Sequence, residues 1–180
     1  MSGKLTHEPA LDRPELLAES TLDAVAKLGL ADRVEVAQID PTLADTAAFC
    51  VEYGVALDES ANCVVLAAKK AGEVFYAACM VLATSRADVN GLARKHLGAR
   101  KASFAPMDDA VGLTGMEYGG ITPIGLPADW PVLVDRAVAE APHVVVGSGI
   151  RGSKLWLPGA VLAELPNAVV LDGLGVPVSA

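Results

Sequence analysis

The sequence predicts an α/β protein of the α+β kind: a single domain built on a mixed, partly antiparallel, barrel-like β-sheet surrounded by helices. Three observations lead there. Short β-branched apolar runs outnumber segments with helical spacing, and several runs adjoin through turns too short to hold a crossover helix. The chain has 180 residues, enough for a core without disulfide or metal. It is 52% apolar but only 4% aromatic, so that core is mostly Ala, Val and Leu. Residues 1–14, polar with Pro9 and Pro14, read as a loose lead-in, and 15–180 as the domain.

From Pro14 to Leu28 the apolar positions Leu16, Leu17, Leu22, Val25 and Leu28 recur at helical spacing, and Gly29 ends the run. Arg33–Ile39 alternates as a strand. Asp40 or Thr42 caps a second helix over roughly 42–53, and Gly54 terminates it. Asn62–Ala68 and Val74–Ala83 form a hairpin with Lys69 and Lys70 at its exposed turn. Asp88 caps a helix of about 89–97, closed by Gly98. A strand at 101–105 and one or two helical turns at 107–113 lead into a loop. Strands follow at 130–135, 143–147 and 153–157, then a helix over 158–165 with Pro158 in its first turn, and a last strand at 168–171.

Charge narrows the function classes. The net charge is −8, which argues against a generic nucleic-acid binder. Residues 1–60 hold four Lys/Arg against twelve Asp/Glu, and the rest of the chain balances. Within that balanced part, Arg86, Arg94, Lys95, Arg100 and Lys101 face Asp88 alone, a local basic patch. It reads either as a solvated helix face or as a phosphate-contacting surface. The uncharged runs, such as Val74–Ser85, fall short of the roughly 20 residues that span a bilayer. The N-terminus lacks the apolar segment of a secretory signal, so a cytoplasmic location and no membrane partner are expected. Cys50, Cys63 and Cys79 lie singly in apolar segments and read as reduced core thiols.

The loop at 112–127, G-L-T-G-M-E-Y-G-G-I-T-P-I-G-L-P, is a shaped backbone rather than a flexible one. Its N–H groups need acceptors, and a bound carbonyl or anion is one candidate. A second glycine turn, Gly147-Ser148-Gly149-Ile150-Arg151-Gly152, matches a dinucleotide-binding fingerprint on paper. That fingerprint requires a helix to begin there, whereas S-K-L-W-L-P reads as a strand stopped by proline. His7, His96 and His143 are scattered, so no metal is expected. Ser148 lacks the first glycine of a nucleophile elbow, because Val146 stands there. What remains is two glycine turns that, if they face each other, offer N–H donors for a carbonyl, carboxylate or oxyanion. Tight turns with no ligand are the alternative.

Leu113-Thr114-Gly115 followed by Tyr118-Gly119-Gly120-Ile121-Thr122-Pro123-Ile124-Gly125 resembles the T-G-x-x-x-G-G-x-x-P-x-G motif of the YbaK/prolyl-tRNA-synthetase-associated editing domains. Asp88 opening a basic helix, Leu97-Gly98 with Lys101 after it, Val134-Asp135 and Gly147-Ser148-Gly149 extend the likeness over about 20–172. The resemblance implies a YbaK-like fold and trans-editing hydrolysis of a mischarged aminoacyl-tRNA carrying a small amino acid. It implies no cofactor, a chemistry assisted by a substrate hydroxyl, and the aminoacylated 3′ end of tRNA as partner, with a synthetase as a further one.

Under that resemblance Gly119 and Gly120 hold the reacting oxygen and Asn62 orients the terminal nucleotide. Thr114, Gly115, Ile121, Thr122, Pro123, Gly125, Asp135, Gly147, Ser148 and Gly149 line the substrate pocket, and Arg94, Lys95 and Lys101 meet tRNA phosphates. The family usually carries a Lys where this chain has Asn62 or Ala61, and Lys69 and Lys70 lie too far along the strand to replace it. A non-catalytic module of the same fold, binding an aminoacyl-adenosine-like ligand or a protein, is the second reading.

Overall fold

The computed structural model describes residues 3–178. In chain order the elements are β1 (Glu8–Pro9), α1 (Glu19–Lys27), β2 (Glu35–Gln38), α2 (Thr46–Tyr53), β3 (Ala61–Lys70), β4 (Glu73–Leu82) and β5 (Ser85–Ala87). They continue with a π-turn (Val89–Ala93) running into α3 (Arg94–His96), then β6 (Lys101–Phe104), α4 (Met107–Thr114) and β7 (Val132–Asp135). Last come α5 (Arg136–Ala139), β8 (Val144–Gly147), β9 (Ser153–Leu157), α6 (Gly159–Ala163), β10 (Ala168–Leu171) and β11 (Gly175–Pro177).

The sheet is mixed and partly antiparallel, as the sequence implies, but it is divided. A five-stranded sheet runs β10-β7-β4-β3-β6, parallel across β10, β7 and β4 and antiparallel beyond. An antiparallel sheet runs β1-β2-β9-β8, and β11 pairs with β5. Among the described residues a single parallel bridge, Ser60 to Val145, links the two large sheets, so the barrel-like curvature stops short of closure.

Period-two alternation sorts the strands' side chains into layers. Met80, Val132, Val134, Val144, Val146, Leu155 and Leu157 meet between the sheets, with Val25 of α1 against them. The opposite faces of β4 and β7 send Cys79, Val81 and Leu133 toward Val89 and Ala93. On the far side of β8 and β9, Val145 and Trp156 pack with Phe49 and Cys50 of α2. Each fully buried Leu or Val side chain contributes about 1.5–3 kcal/mol. Lys154 has the same parity as Trp156, which sets it on the α2 side of β9.

Several local expectations change. The first helix begins only at Glu19, because Pro14–Leu16 forms a separate 3-10 turn. Residues 3–14 are not loose: Glu8–Pro9 pairs with β2, Ala10 is fully buried and His7 lies 5.4 Å from the Trp156 ring. Burial lowers the His7 pKa. β5, β11 and α5 are too short to leave a periodic signal. The hairpin has a two-residue turn, Ala71-Gly72, with φ of 52° and 80°. β6 covers only Leu66–Lys69 of β3, and this leaves Ala61–Val65 facing the glycine loop and β8.

The Asp88 carboxylate caps the basic helix through the N–H groups of Gly91 and Leu92, both at 3.0 Å. Asp88→Ala is therefore expected to cost about 1–2 kcal/mol, seen as a fall of about 2–8 °C in thermal midpoint. An unchanged midpoint would show that β6 and β11 hold this segment without the cap.

Candidate functional site

The two glycine turns meet. The Gly120 carbonyl accepts the Gly149 N–H at 2.7 Å, and the Gly149 carbonyl accepts the Glu117 N–H at 2.9 Å. The Arg151 N–H donates to Glu117 Oε1 at 2.7 Å, while its guanidinium donates to the carbonyls of Tyr118 (3.0 Å) and Pro41 (3.2 Å). No side chain fits in this joint. A Cβ on Gly120 would stand 2.6 Å from the Ile150 carbonyl, and one on Gly147 would stand 2.5 Å from the Gly120 oxygen. Gly119 combines a φ of +86° with the Arg151 guanidinium packed where a Cβ would sit.

The joint forms one wall of a cavity of about 350 Å³, lined among others by Asn62, Cys63, Gly119, Ile121, Gly147 and Lys154. Ala44, Asp45 and Thr46, at the N-terminus of α2, complete it. Thr46 Oγ1 donates to Asn62 Oδ1 at 2.7 Å, which leaves the Asn62 amide nitrogen as a donor for a ligand. An adjoining cleft of about 300 Å³ shares Cys63, Val64, Tyr118 and Ile121 and continues to Phe104 and Met107, both more than half exposed.

The backbone donors are not the full set that the motif promised. Gly120 gives its N–H to the Glu117 carbonyl at 2.9 Å, and Gly149 gives its own to Gly120. Neither can hold a ligand oxygen. Among the described hydrogen bonds, Gly119 and Ile121 give their N–H groups to no internal acceptor. Of the expected pair Gly119 and Gly120, only Gly119 keeps an N–H outside these hydrogen bonds, and Ile121 beside them does too.

Lys154 is the cavity residue that the sequence pass overlooked. It is 9% exposed, donates to the Ala44 carbonyl at 3.0 Å, and lies 5.2 Å from the centroid of the Phe49 ring. Burial lowers its pKa to about 8; Cys50 and Asp45 raise it and Arg151 lowers it further. Among the described residues it makes no carboxylate contact within 4.0 Å. Nothing in the sequence marks it, because it is one lysine in S-K-L-W-L, a stretch that reads simply as a strand.

Other predicted residues have structural employment. Thr114 donates to the Ala110 carbonyl at 2.6 Å and accepts the Met116 N–H, and Gly115 ends α4 at a φ of +69°. Thr122 is fully buried, with its N–H toward Met116 Sδ. Pro123 and Gly125 border a separate cavity against α1, where Gly125 packs on the Ser20 backbone. Asp135 is buried beside Gly175, and Ser148 Oγ bonds Ser153 and Ile150 inside its own turn. The fingerprint at 147–152 leads into β9, not into a helix. Among the described residues no three His, Cys, Asp or Glu side chains come together, and no helix is long and apolar enough to cross a membrane.

The basic residues split as well. Arg94 is committed to the carbonyls of Asn90 (2.8 Å) and Ala99 (3.4 Å), and Lys95 is exposed on α3. Lys101 pairs in register with Lys69, and both border a surface depression with Lys70 and Arg100.

The aminoacyl-tRNA editing domain family matches residues 40–165, which takes in the cavity, both glycine turns and Lys154. The chain belongs to that family. Solved structures with the same fold include a candidate trans-editing enzyme for prolyl tRNA synthetase, at 20% identity and a TM-score of 0.74, covering 86% of this chain and 94% of that one. Another is the hypothetical protein APE2540, at 24% identity and 0.75, covering 88% and 100%. The editing domain described here has Ala61 and Asn62 at the start of β3.

Two outcomes follow from this geometry. Gly120→Ala must part the loop from Ile150, and a loss of about 1–3 kcal/mol with faster exchange of the Gly149 amide is expected. Wild-type protection of that amide in the variant would contradict the joint. The second concerns pH. The unfolded Lys154 titrates near its ordinary 10.5 and the folded one near 8, so between these values the unfolded state binds the extra proton and stability rises with pH. The burial penalty is complete below pH 8 and relieved toward 10.5, by about 3 kcal/mol. Burial also raises the Cys50, Cys63 and Cys79 thiols, Cys79 to about 12, which pulls stability down above pH 9. Denaturant unfolding of wild type and Lys154→Met from pH 7 to 10.5 isolates the lysine, and a difference independent of pH would refute the shift.

Proposed function

We propose that this domain hydrolyses, in trans, the ester of a mischarged aminoacyl-tRNA carrying a small amino acid. The observation that carries the reading is the single cavity shared by the glycine loop, the turn after β8 and the open half of β3. Water adds to the ester carbonyl carbon as the carbonyl electron pair moves onto oxygen. Collapse restores the carbonyl and breaks the bond to the ribose, whose oxygen takes a proton from the attacking water. A neighbouring ribose hydroxyl positions that water, so the protein's part is orientation and charge stabilisation. The N–H groups of Gly119 and Ile121 face the reacting oxygen, and the Asn62 amide orients the ribose. Cys63, Val64, Tyr118 and Ile121 crowd the cavity, which favours a small side chain.

The terminal base takes the adjoining cleft against Tyr118 and Phe104, where stacking contributes about 1–3 kcal/mol. From Asn62 the seven residues along β3 to Lys69 span about 23 Å, which sets the Lys69, Lys70, Arg100 and Lys101 cluster to meet the acceptor stem. This cluster replaces Arg94 as the phosphate contact. A cytoplasmic setting and a synthetase that supplies the mischarged tRNA accompany this reading.

The test is amino acid release from a panel of misacylated tRNAs. Faster turnover of small than of bulky residues is expected, and no turnover on any member at high enzyme would remove the catalytic claim. Lys69→Glu with Lys101→Glu should weaken tRNA binding and lower the log–log salt slope by about 2. The absence of a cation from the part of β3 that lines the cavity, Ala61 to Val64, favours a binding module as the second reading. A wild type that binds without turnover, and gains it in Asn62→Lys, would establish that alternative.

A further inference from the structure

Lys154 has no structural partner that accounts for its charge. It sits at the cavity floor on β9, opposite Gly147 in the β8–β9 register, with the Ala44 carbonyl as acceptor and two N–H directions left over. A structural lysine in this position would be expected to meet a carboxylate, since burial of an unpaired ammonium is unfavourable. Among the described residues Asp45 is the one acidic residue lining the cavity; its side chain is 78% exposed at the mouth and it lies 3.9 Å from Arg151 instead. The same cavity is lined by the Asn62 amide nitrogen and by the N–H groups of Gly119 and Ile121, donors that none of the described hydrogen bonds uses. Gly147, opposite Lys154, contributes no side chain, and the loop backbone at Gly120 and Ile121 packs directly against it. A pocket whose buried end holds a cation and converging donors is built for an oxygen that carries negative charge.

The geometry points to Lys154 as the catalytic electrophile of this pocket, its ammonium contacting the ester carbonyl oxygen and stabilising the oxyanion as water adds. The inference rests on the deacylase reading and names the residue that performs its charge stabilisation. Depth decides between this oxygen and a phosphate. The aminoacyl group is the extreme end of the tRNA, so it alone reaches the floor, while the phosphodiester stays nearer the mouth beside Thr46 and the α2 N-terminus. The charge enters from β9 rather than from β3, and Asn62 is left as a neutral orienting group.

Two adenosine analogues separate the possibilities by calorimetry. One carries a 3′ aminoalkylphosphonate, an anionic tetrahedral mimic of the intermediate, and the other a neutral 3′ aminoacylamide. Wild type should bind the phosphonate at least 100-fold more tightly. Lys154→Gln should lose most of that preference while binding the amide within about threefold of wild type, and Lys154→Arg should keep part of it. With turnover, Lys154→Gln should lower kcat by about 100-fold and leave KM within about threefold.

Wild type alone supplies a further readout if the variants do not fold. Groups facing the ammonium are Cys50 and Asp45 from α2 and its cap and Arg151 from the turn before β9, and with them the lysine loses its proton near pH 8. The phosphonate preference should therefore fall about tenfold per pH unit above that point. Equal loss of both analogues, or a preference unchanged by both pH and Lys154→Gln, would overturn the assignment. Tight phosphonate binding without turnover on any tRNA would retain Lys154 as an oxyanion-binding group and overturn the deacylase reading instead.

Discussion

Everything at the site depends on a contact with no side chain in it: the seam between Gly119–Gly120 and Gly147–Gly149. Two backbone hydrogen bonds of 2.7 and 2.9 Å hold two stretches about 30 residues apart in sequence. A methyl group on either Gly120 or Gly147 would overlap backbone atoms of the opposite turn. Arg151 then fastens the seam from outside, through the Tyr118 and Pro41 carbonyls and Glu117. Glycine here serves close approach more than flexibility. The loop becomes a wall because its own hydrogen-bonding groups are largely consumed in making the seam.

That consumption determines what chemistry is left. Of the donors in the glycine-rich motif, the seam uses those of Gly120 and Gly149, and Ser148 is engaged inside its turn. The donors that the seam does not use, those of Gly119, Ile121, Asn62 and Lys154, reach the cavity from three different segments of the chain. A site assembled in this way depends on the packing of α2 against β8 and β9. Phe49 is fully buried under Lys154, and Ala44 supplies the carbonyl that aims the ammonium. Displacing α2 would therefore disturb the pocket's charge without touching any residue of the glycine loop.

Much of the fold was legible, because period-two runs and capping residues are local signals. Gly54, Asp88 and the β3–β4 hairpin stand where spacing put them, whereas Asp40 caps only the short 3-10 turn Pro41–Leu43 and α2 begins at Thr46 rather than at 42. The division into separate sheets was not legible, since it depends on where β6 stops along β3. Nor was the ordering of residues 3–14, whose Ala10 and His7 are held by β2 and Trp156. At the site, the motif identified the right loop but not the facing of its residues. Thr114, Pro123, Gly125 and Asp135 are in or near the motif and pack elsewhere. Facing is a tertiary property, and a pattern of small residues does not encode it.

Lys154 shows the same limit from the other side. In the chain it is one lysine in S-K-L-W-L, with nothing to separate it from a strand residue that reaches solvent. Alternation puts Leu155 and Leu157 toward the core between the sheets, and the lysine on the face with Trp156. On an uncovered sheet that face would be wet and the charge free of penalty. α2 covers it, and the ammonium is thereby desolvated without a counter-charge. Replacing Lys154 with an apolar residue of similar length would remove that penalty at no cost to strand pairing. A fold that retains the charge regardless places its requirement in the cavity, not in the core.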